Sequence, residues 1–103
     1  MNTQDVIFAR IYMMESQHEL KNIMNYLKND AKIKGITVFR AIEGFGETGD
    51  HSTRFMDLSL DLPLTIEFFD VASKMTPILE HLNSVVKSEH IVFWDAKKNT
   101  NEF

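Results

Sequence analysis

No cysteine occurs in this chain, and its N-terminus, Met1-Asn2-Thr3-Gln4-Asp5, has no basic-then-apolar stretch of the kind a signal peptide carries. A cytoplasmic location is the expectation. Positive charge is scarce: 11 lysines and arginines stand against 15 acidic residues, for a net charge of −4 and a pI near 5.5. Attraction to nucleic acid or to an anionic membrane needs a basic face, so neither is expected as a partner. No apolar run approaches the roughly 20 residues that cross a bilayer, which excludes membrane insertion by a helix. Glycine is also scarce and unevenly placed. Gly35 stands alone, whereas Gly44, Gly46 and Gly49 fall within six residues. What remains is a chain of 103 residues, 44 % hydrophobic, with no repeat, linker or low-complexity segment. It is long enough for one domain, residues 1–103, with one core.

Val6 to Met14 is nearly all apolar and β-prone apart from Arg10, which predicts a strand buried on both faces. Ser16-Gln17-His18-Glu19 matches a capping box, and Leu20, Ile23, Met24, Leu27 and Ala31 follow at helical spacing. Lys32 and Lys34 suit the negative end of the helix dipole, and Gly35 supplies a left-handed terminator, so the helix is expected to stop near Lys34. Ile36 to Ile42 predicts a second strand. Phe55–Leu60 and Leu64–Phe69, separated by Asp61-Leu62-Pro63, predict a short extra strand and a long one. Asp70 can cap a second helix with the stripe Val71, Met75, Ile78, Leu79, Leu82 and Val86. Pro77 interrupts that helix and predicts a distorted start near Thr76. His90 to Ala96 reads as the last strand, and the polar tail from Lys97 to Phe103 as frayed.

The order strand, helix, strand, loop with a small extra strand, strand, helix, strand predicts an α+β domain. It is the ferredoxin-like βαββαβ sandwich, with two helices on one face of a four-stranded antiparallel sheet. Both strand parities are apolar in the first and last strands, so the second face is expected to be covered as well, and self-association is the simplest cover.

The segment Arg40 to Arg54 is the candidate site. It joins the glycines to an aromatic residue, Phe45, and to the titratable side chains Glu43, Glu47, Asp50, His51 and Arg54. Gly44 to Gly49 formally matches G-x-G-x-x-G, yet strand and turn rather than a helix follow it, which excludes a dinucleotide fold. An RNA-recognition motif needs a basic residue before Gly44-Phe45-Gly46 and an aromatic strand after it, where Glu43 and Glu47 stand instead. His18, His51, His81 and His90 lack metal-ligand spacing, and no metal or cofactor is expected. His51, beside Asp50, could change charge near neutral pH or contact a ligand. Glu43 and Glu67 are expected to pair with Arg40, Arg54 or backbone groups rather than act as an acid–base couple. Met13, Met14, Met24, Met56 and Met75 are expected to fill the core.

The string from Lys34 to Gly46, followed by His51 and the run from Leu58 to Asp70, resembles the PII-like family of uncharacterised domains numbered 190. The resemblance covers almost the whole chain, although the first helix lacks the Gly-Xaa-Pro-Leu-type segment many relatives carry before it. It implies a ferredoxin-like fold and a homotrimer with its sheets facing inward, in which the loop after the second strand projects like the PII signalling loop. PII proteins hold ATP phosphates partly with a glycine-rich basic loop before the last strand, and only Val86-Lys87-Ser88-Glu89 stands there in this chain. An anionic ligand, such as a nucleotide, would therefore rely on the backbone N–H groups of Gly44, Gly46 and Gly49, on Arg40 and Arg54, and on Lys97 or Lys98. The remaining candidate contacts are Glu43, Phe45 and His51. The resulting expectation is a regulatory or sensory trimer that binds a small anion between subunits. It signals to a protein partner through residues 44–54, of which 47–52 are expected to be mobile without ligand. A small enzyme using His51 as acid or base, and an oligomeric adaptor without a ligand, are the alternatives.

Overall fold

The computed structural model describes residues 1–42, 45–46, 49–50 and 62–100. In chain order these form β1 (Thr3–Met14), α1 (Glu19–Asn25) running into a π turn (Tyr26–Asp30), β2 (Thr37–Arg40), β3 (Phe45–Gly46), β4 (Gly49–Asp50), β5 (Pro63–Asp70), α2 (Ala72–Leu82), a 3-10 turn (Ser88–His90) and β6 (Ile91–Asn99). The main sheet is antiparallel with order β2-β5-β1-β6, and β3 and β4 pair separately. Each helix thus connects strands that are not adjacent, which is the split arrangement of the ferredoxin-like sandwich. The extra strand predicted over 55–60 lies outside the described residues.

Register explains which side chains meet. Ala9 lies opposite Phe68, Ile11 opposite Ile66 and also Ile91, and Met13 opposite Leu64, so alternate residues of the two central strands form one apolar face. Ile23 and Leu27 from the first helical segment, and Met75, Ile78, Leu79 and Leu82 from α2, close over that face in one cluster. Ile11, Ile23, Leu27, Ile66, Phe68, Met75 and Leu82 are fully buried, and no polar or charged residue is buried among the described ones. Burial of each such side chain favours folding by about 1.5–3 kcal/mol.

The ends of the helices differ from expectation. α1 begins at Glu19, and His18 immediately before it has helical dihedrals and no side-chain cap bond. β1 continues to Met14, so the next residues are needed for the turn. Gln17 serves there, with its Oε1 accepting from the Met14 N–H at 2.7 Å and its N–H donating to the Met14 carbonyl at 3.1 Å. At the other end the left-handed residue is Lys32, at φ 56°, not Gly35. The Ala31 N–H reaches the Tyr26 carbonyl (2.9 Å) and the Ile33 N–H reaches that of Leu27 (2.8 Å), which widens the last turn. This brings Ile33 onto the core beside Leu27, the apolar contact that commonly accompanies a left-handed helix end.

α2 starts at Ala72 rather than near Thr76, with Val71 at its cap position. Asp70 precedes the cap, where Oδ1 accepts from the Val71 N–H at 2.8 Å and Oδ2 lies 3.4 Å from Lys74 Nζ. Pro77 is tolerated in the second turn, and the Thr76 hydroxyl donates to the Ala72 carbonyl at 3.0 Å. The polar end of the last strand is not frayed over Lys97–Asn99. These residues pair with Asp5, Gln4 and Thr3, because β1 begins earlier than its apolar run and a backbone ladder is indifferent to side-chain polarity.

The second face of the sheet stays open in a single chain. Phe8 stacks on Trp94 (centroids 4.8 Å apart) and on Phe69 (5.8 Å). Tyr12, Phe39, Phe69 and Trp94 keep 39–53 % of their surface exposed. At the sheet edges Val38 and Phe93, although on the helix-facing parity, are also exposed, since they lie on the outer strands β2 and β6.

Candidate functional site

The glycine segment leaves the sheet at the end of β2 and returns at the start of β5, and its two ends are pinned together. The Ala41 N–H donates to the Pro63 carbonyl at 2.8 Å, and the Glu15 N–H donates to the Leu62 carbonyl at 3.0 Å. Arg40 occupies this neck because β2 is in register with β5 there, Arg40 lying opposite Leu64. Its Nη2 donates to Glu15 Oε1 at 2.6 Å, with the side chains 63 % and 36 % exposed. Glu15 Oε2 is buried with no hydrogen-bond partner. Among the described residues, the neck therefore presents an accessible guanidinium, held by a carboxylate whose second oxygen has no hydrogen-bond partner.

Beyond the neck, Phe45 lies opposite Asp50 and Gly46 opposite Gly49. Only residues 47 and 48 separate these paired positions, the spacing of a tight hairpin in which glycine relieves backbone constraint. Gly46 and Gly49 thus belong to a small ladder, a feature that reading the stretch as a plain glycine loop did not anticipate. Glu43, Gly44, His51 and Arg54 lie outside the described residues. Of the predicted site residues, the structure places Arg40 at the neck and Phe45, Gly46 and Gly49 in the hairpin beyond it.

One expectation about charge partners is corrected. Glu67 does not pair with Arg40. Register puts Glu67 opposite Arg10 and Thr37, on the open face, whereas Arg40 is opposite Leu64 on the helix-facing parity. Glu67 Oε2 instead accepts from Arg10 Nε at 2.6 Å. That contact and the Tyr12 hydroxyl hold the Arg10 guanidinium above its ordinary pKa, with the Tyr12 bond as the larger cause. Lys97 Nζ contacts Asp5 Oδ1 at 2.5 Å. It also lines a cleft of about 400 Å³ at the start of α2 that carries both Asp5 and Asp95. The Asp5 contact raises the Lys97 pKa. His81 stacks on Tyr26 with ring centroids 4.1 Å apart, and the described residues contain no group of three or more histidines and carboxylates able to hold a metal.

Glu15 escaped sequence reasoning altogether. It follows the first strand without any motif, and only the register of β1, β2 and β5 brings it to Arg40.

The sequence matches the family model DUF190, described as Uncharacterized ACR, COG1993, over residues 6–98. It is 33 % identical over 88 residues to the UPF0166 protein MJ1524 of Methanocaldococcus jannaschii, covering 81 % of each chain. It is 35 % identical over 78 residues to a UPF0166 protein of Aquifex aeolicus, covering 71 % of this chain and 74 % of the relative. Among solved structures, CPII of Thiomonas intermedia bound to ADP and bicarbonate superposes with a TM-score of 0.67 at 18 % identity, covering 98 % of this chain and 93 % of that one. A protein of Thermus thermophilus described as PII-like and signalling gives 0.58 at 15 % identity, over 95 % and 90 %. The fold is therefore PII-like, and the chain belongs to the DUF190 family.

Proposed function

We propose that this protein is a PII-like regulatory trimer that binds a small anionic ligand, a nucleotide in the first instance, in a cleft between subunits, and signals through residues 44–54. The observation that carries this reading is the PII-like fold over nearly the whole chain, shared with a protein whose structure holds ADP and bicarbonate, both anions. Arg40 supports it, since the guanidinium stands at the neck of the glycine segment with most of its surface accessible. A guanidinium in that position can donate two parallel hydrogen bonds to a phosphate or carboxylate. The hairpin amides of Gly46 and Gly49, with Arg54, complete the anion contacts in this reading. A ligand that touches this segment changes what it can dock against, by no more than its difference in affinity for the two states. The exposed aromatic face supports the assembly, because covering it removes apolar surface that a monomer leaves in water.

Titration of ADP followed by heat and by thermal shift tests the reading. Binding that weakens with salt is expected. The absence of heat and of any shift at millimolar nucleotide would leave an adaptor that binds protein alone.

A further inference from the structure

Glu15 holds Arg40 less completely than a carboxylate can. A guanidinium and a carboxylate can meet through two parallel hydrogen bonds, whereas Arg40 Nη2 donates to Glu15 Oε1 alone, at 2.6 Å. Oε2 is buried and accepts no hydrogen bond, so it lacks the solvation that water would give it. The contact reaches across a strand. Glu15 follows Met14, the last residue of β1, which lies opposite Pro63 of β5, and Arg40 ends β2 on the far side of β5. The Glu15 main chain is fixed separately, by its N–H to the Leu62 carbonyl at 3.0 Å. Its side chain, 36 % exposed, can therefore turn into water and leave Arg40 without moving β1.

A carboxylate in this position is itself an anion on the guanidinium that the proposed ligand needs. Resting on the anion-binding reading above, we propose that Glu15 is a built-in competitor for Arg40, which occupies the guanidinium when no ligand is bound and sets the concentration at which the site fills. An anion that takes two donors of Arg40 where Glu15 takes one replaces a single bond with a pair, and the released Oε2 reaches water. Displacement is thus favoured at both partners. Because the competitor is part of the chain, its effective concentration is fixed and dilution does not relieve it. It lowers the affinity of every anion that needs Arg40 by one common factor, the reciprocal of the fraction of chains in which Arg40 is free. An exposed pair of this kind holds weakly, so that factor is about two- to fivefold. Repulsion by a Glu15 that stayed in place behaves differently, since it grows with the charge of the ligand.

Calorimetric titration of ADP, and of the less charged AMP, into wild type, Glu15→Gln, Arg40→Ala and the double variant tests this, with far-UV circular dichroism confirming that each protein is folded. Glu15→Gln is expected to tighten both nucleotides by the same factor, about two- to fivefold. In the Arg40→Ala background the same change is expected neither to tighten binding nor to restore it, because the competitor acts only through Arg40. The proposal is overturned if Glu15→Gln binds as the wild type does, if it favours ADP over AMP, or if its effect persists without Arg40. A wild type and a Glu15→Gln variant that both bind neither nucleotide overturn the anion-binding reading itself, and the competitor with it.

Discussion

Arg40 faces two demands, since Glu15 already holds one of its nitrogens at 2.6 Å and the proposed ligand needs the same group. An ion pair this exposed contributes about 0–1 kcal/mol, so a phosphate can displace the carboxylate at small expense. Arg40→Ala is expected to weaken ADP binding by about 1.5–3 kcal/mol, the range of a lost hydrogen bond to a charged group. Glu15→Gln is expected to tighten it a few-fold, because the competing charge is removed. Parallel calorimetric titrations of the two variants check both signs, and equal affinities for wild type and Arg40→Ala would remove Arg40 from the site. Tyr26 offers a separate test. Burial, and secondarily Asp30, raise its pKa above the ordinary value of 10.0. A raised folded-state pKa means that the unfolded chain ionises first. The contribution to stability is complete below about pH 10 and is lost as pH rises through the folded-state value. Tyr26→Phe should therefore show a shallower loss of stability above pH 10 than the wild type in urea melts at graded pH. Parallel curves would contradict the assignment.

Elements were more legible in the sequence than their ends. Short, nearly continuous apolar and β-prone runs identify β1, β5 and β6, and period-3.6 apolar stripes identify both helices, because burial in the sheet and on one helix face imposes those patterns directly. The ends depend on what lies across the fold. Lys32 rather than Gly35 takes the left-handed position because Ile33 must reach the core, and Lys97–Asn99 stay in a strand because β1 supplies a ladder. Neither demand is written in the local sequence. Glu15 at Arg40 and Glu67 at Arg10 were missed for the same reason, since strand register decides them. A consequence can be measured at the helix end. Lys32 is non-glycine at φ 56°, so Lys32→Gly is expected to stabilise the protein by about 0.5–1 kcal/mol. An unchanged or lower denaturation midpoint would show that the left-handed turn carries no such strain. In the sheet, Ile66 is fully buried at the register centre opposite Ile11. Ile66→Ala is expected to cost about 2–5 kcal/mol, read from the same denaturation curves.

At the scale of the whole molecule, the core, the two helices and the four-stranded sheet of the described residues account for a PII-like fold but not for its open aromatic face. A charged residue at the stacked centre of that face, Phe8→Asp, is expected to block association in the proposed trimer, because it would bury an unpaired carboxylate. Sedimentation should then report a lower mass than the wild type, and an unchanged mass would place the interface elsewhere. The central claim is that this PII-like fold reads a small anion at the neck of its glycine segment. Calorimetric titration of ADP into the assembled wild-type protein, at two salt concentrations, tests it most directly. The account predicts saturable binding, one site per chain, that weakens as salt rises and is largely lost in Arg40→Ala. Titrations without heat up to millimolar ADP, or binding indifferent to both salt and Arg40→Ala, would contradict it.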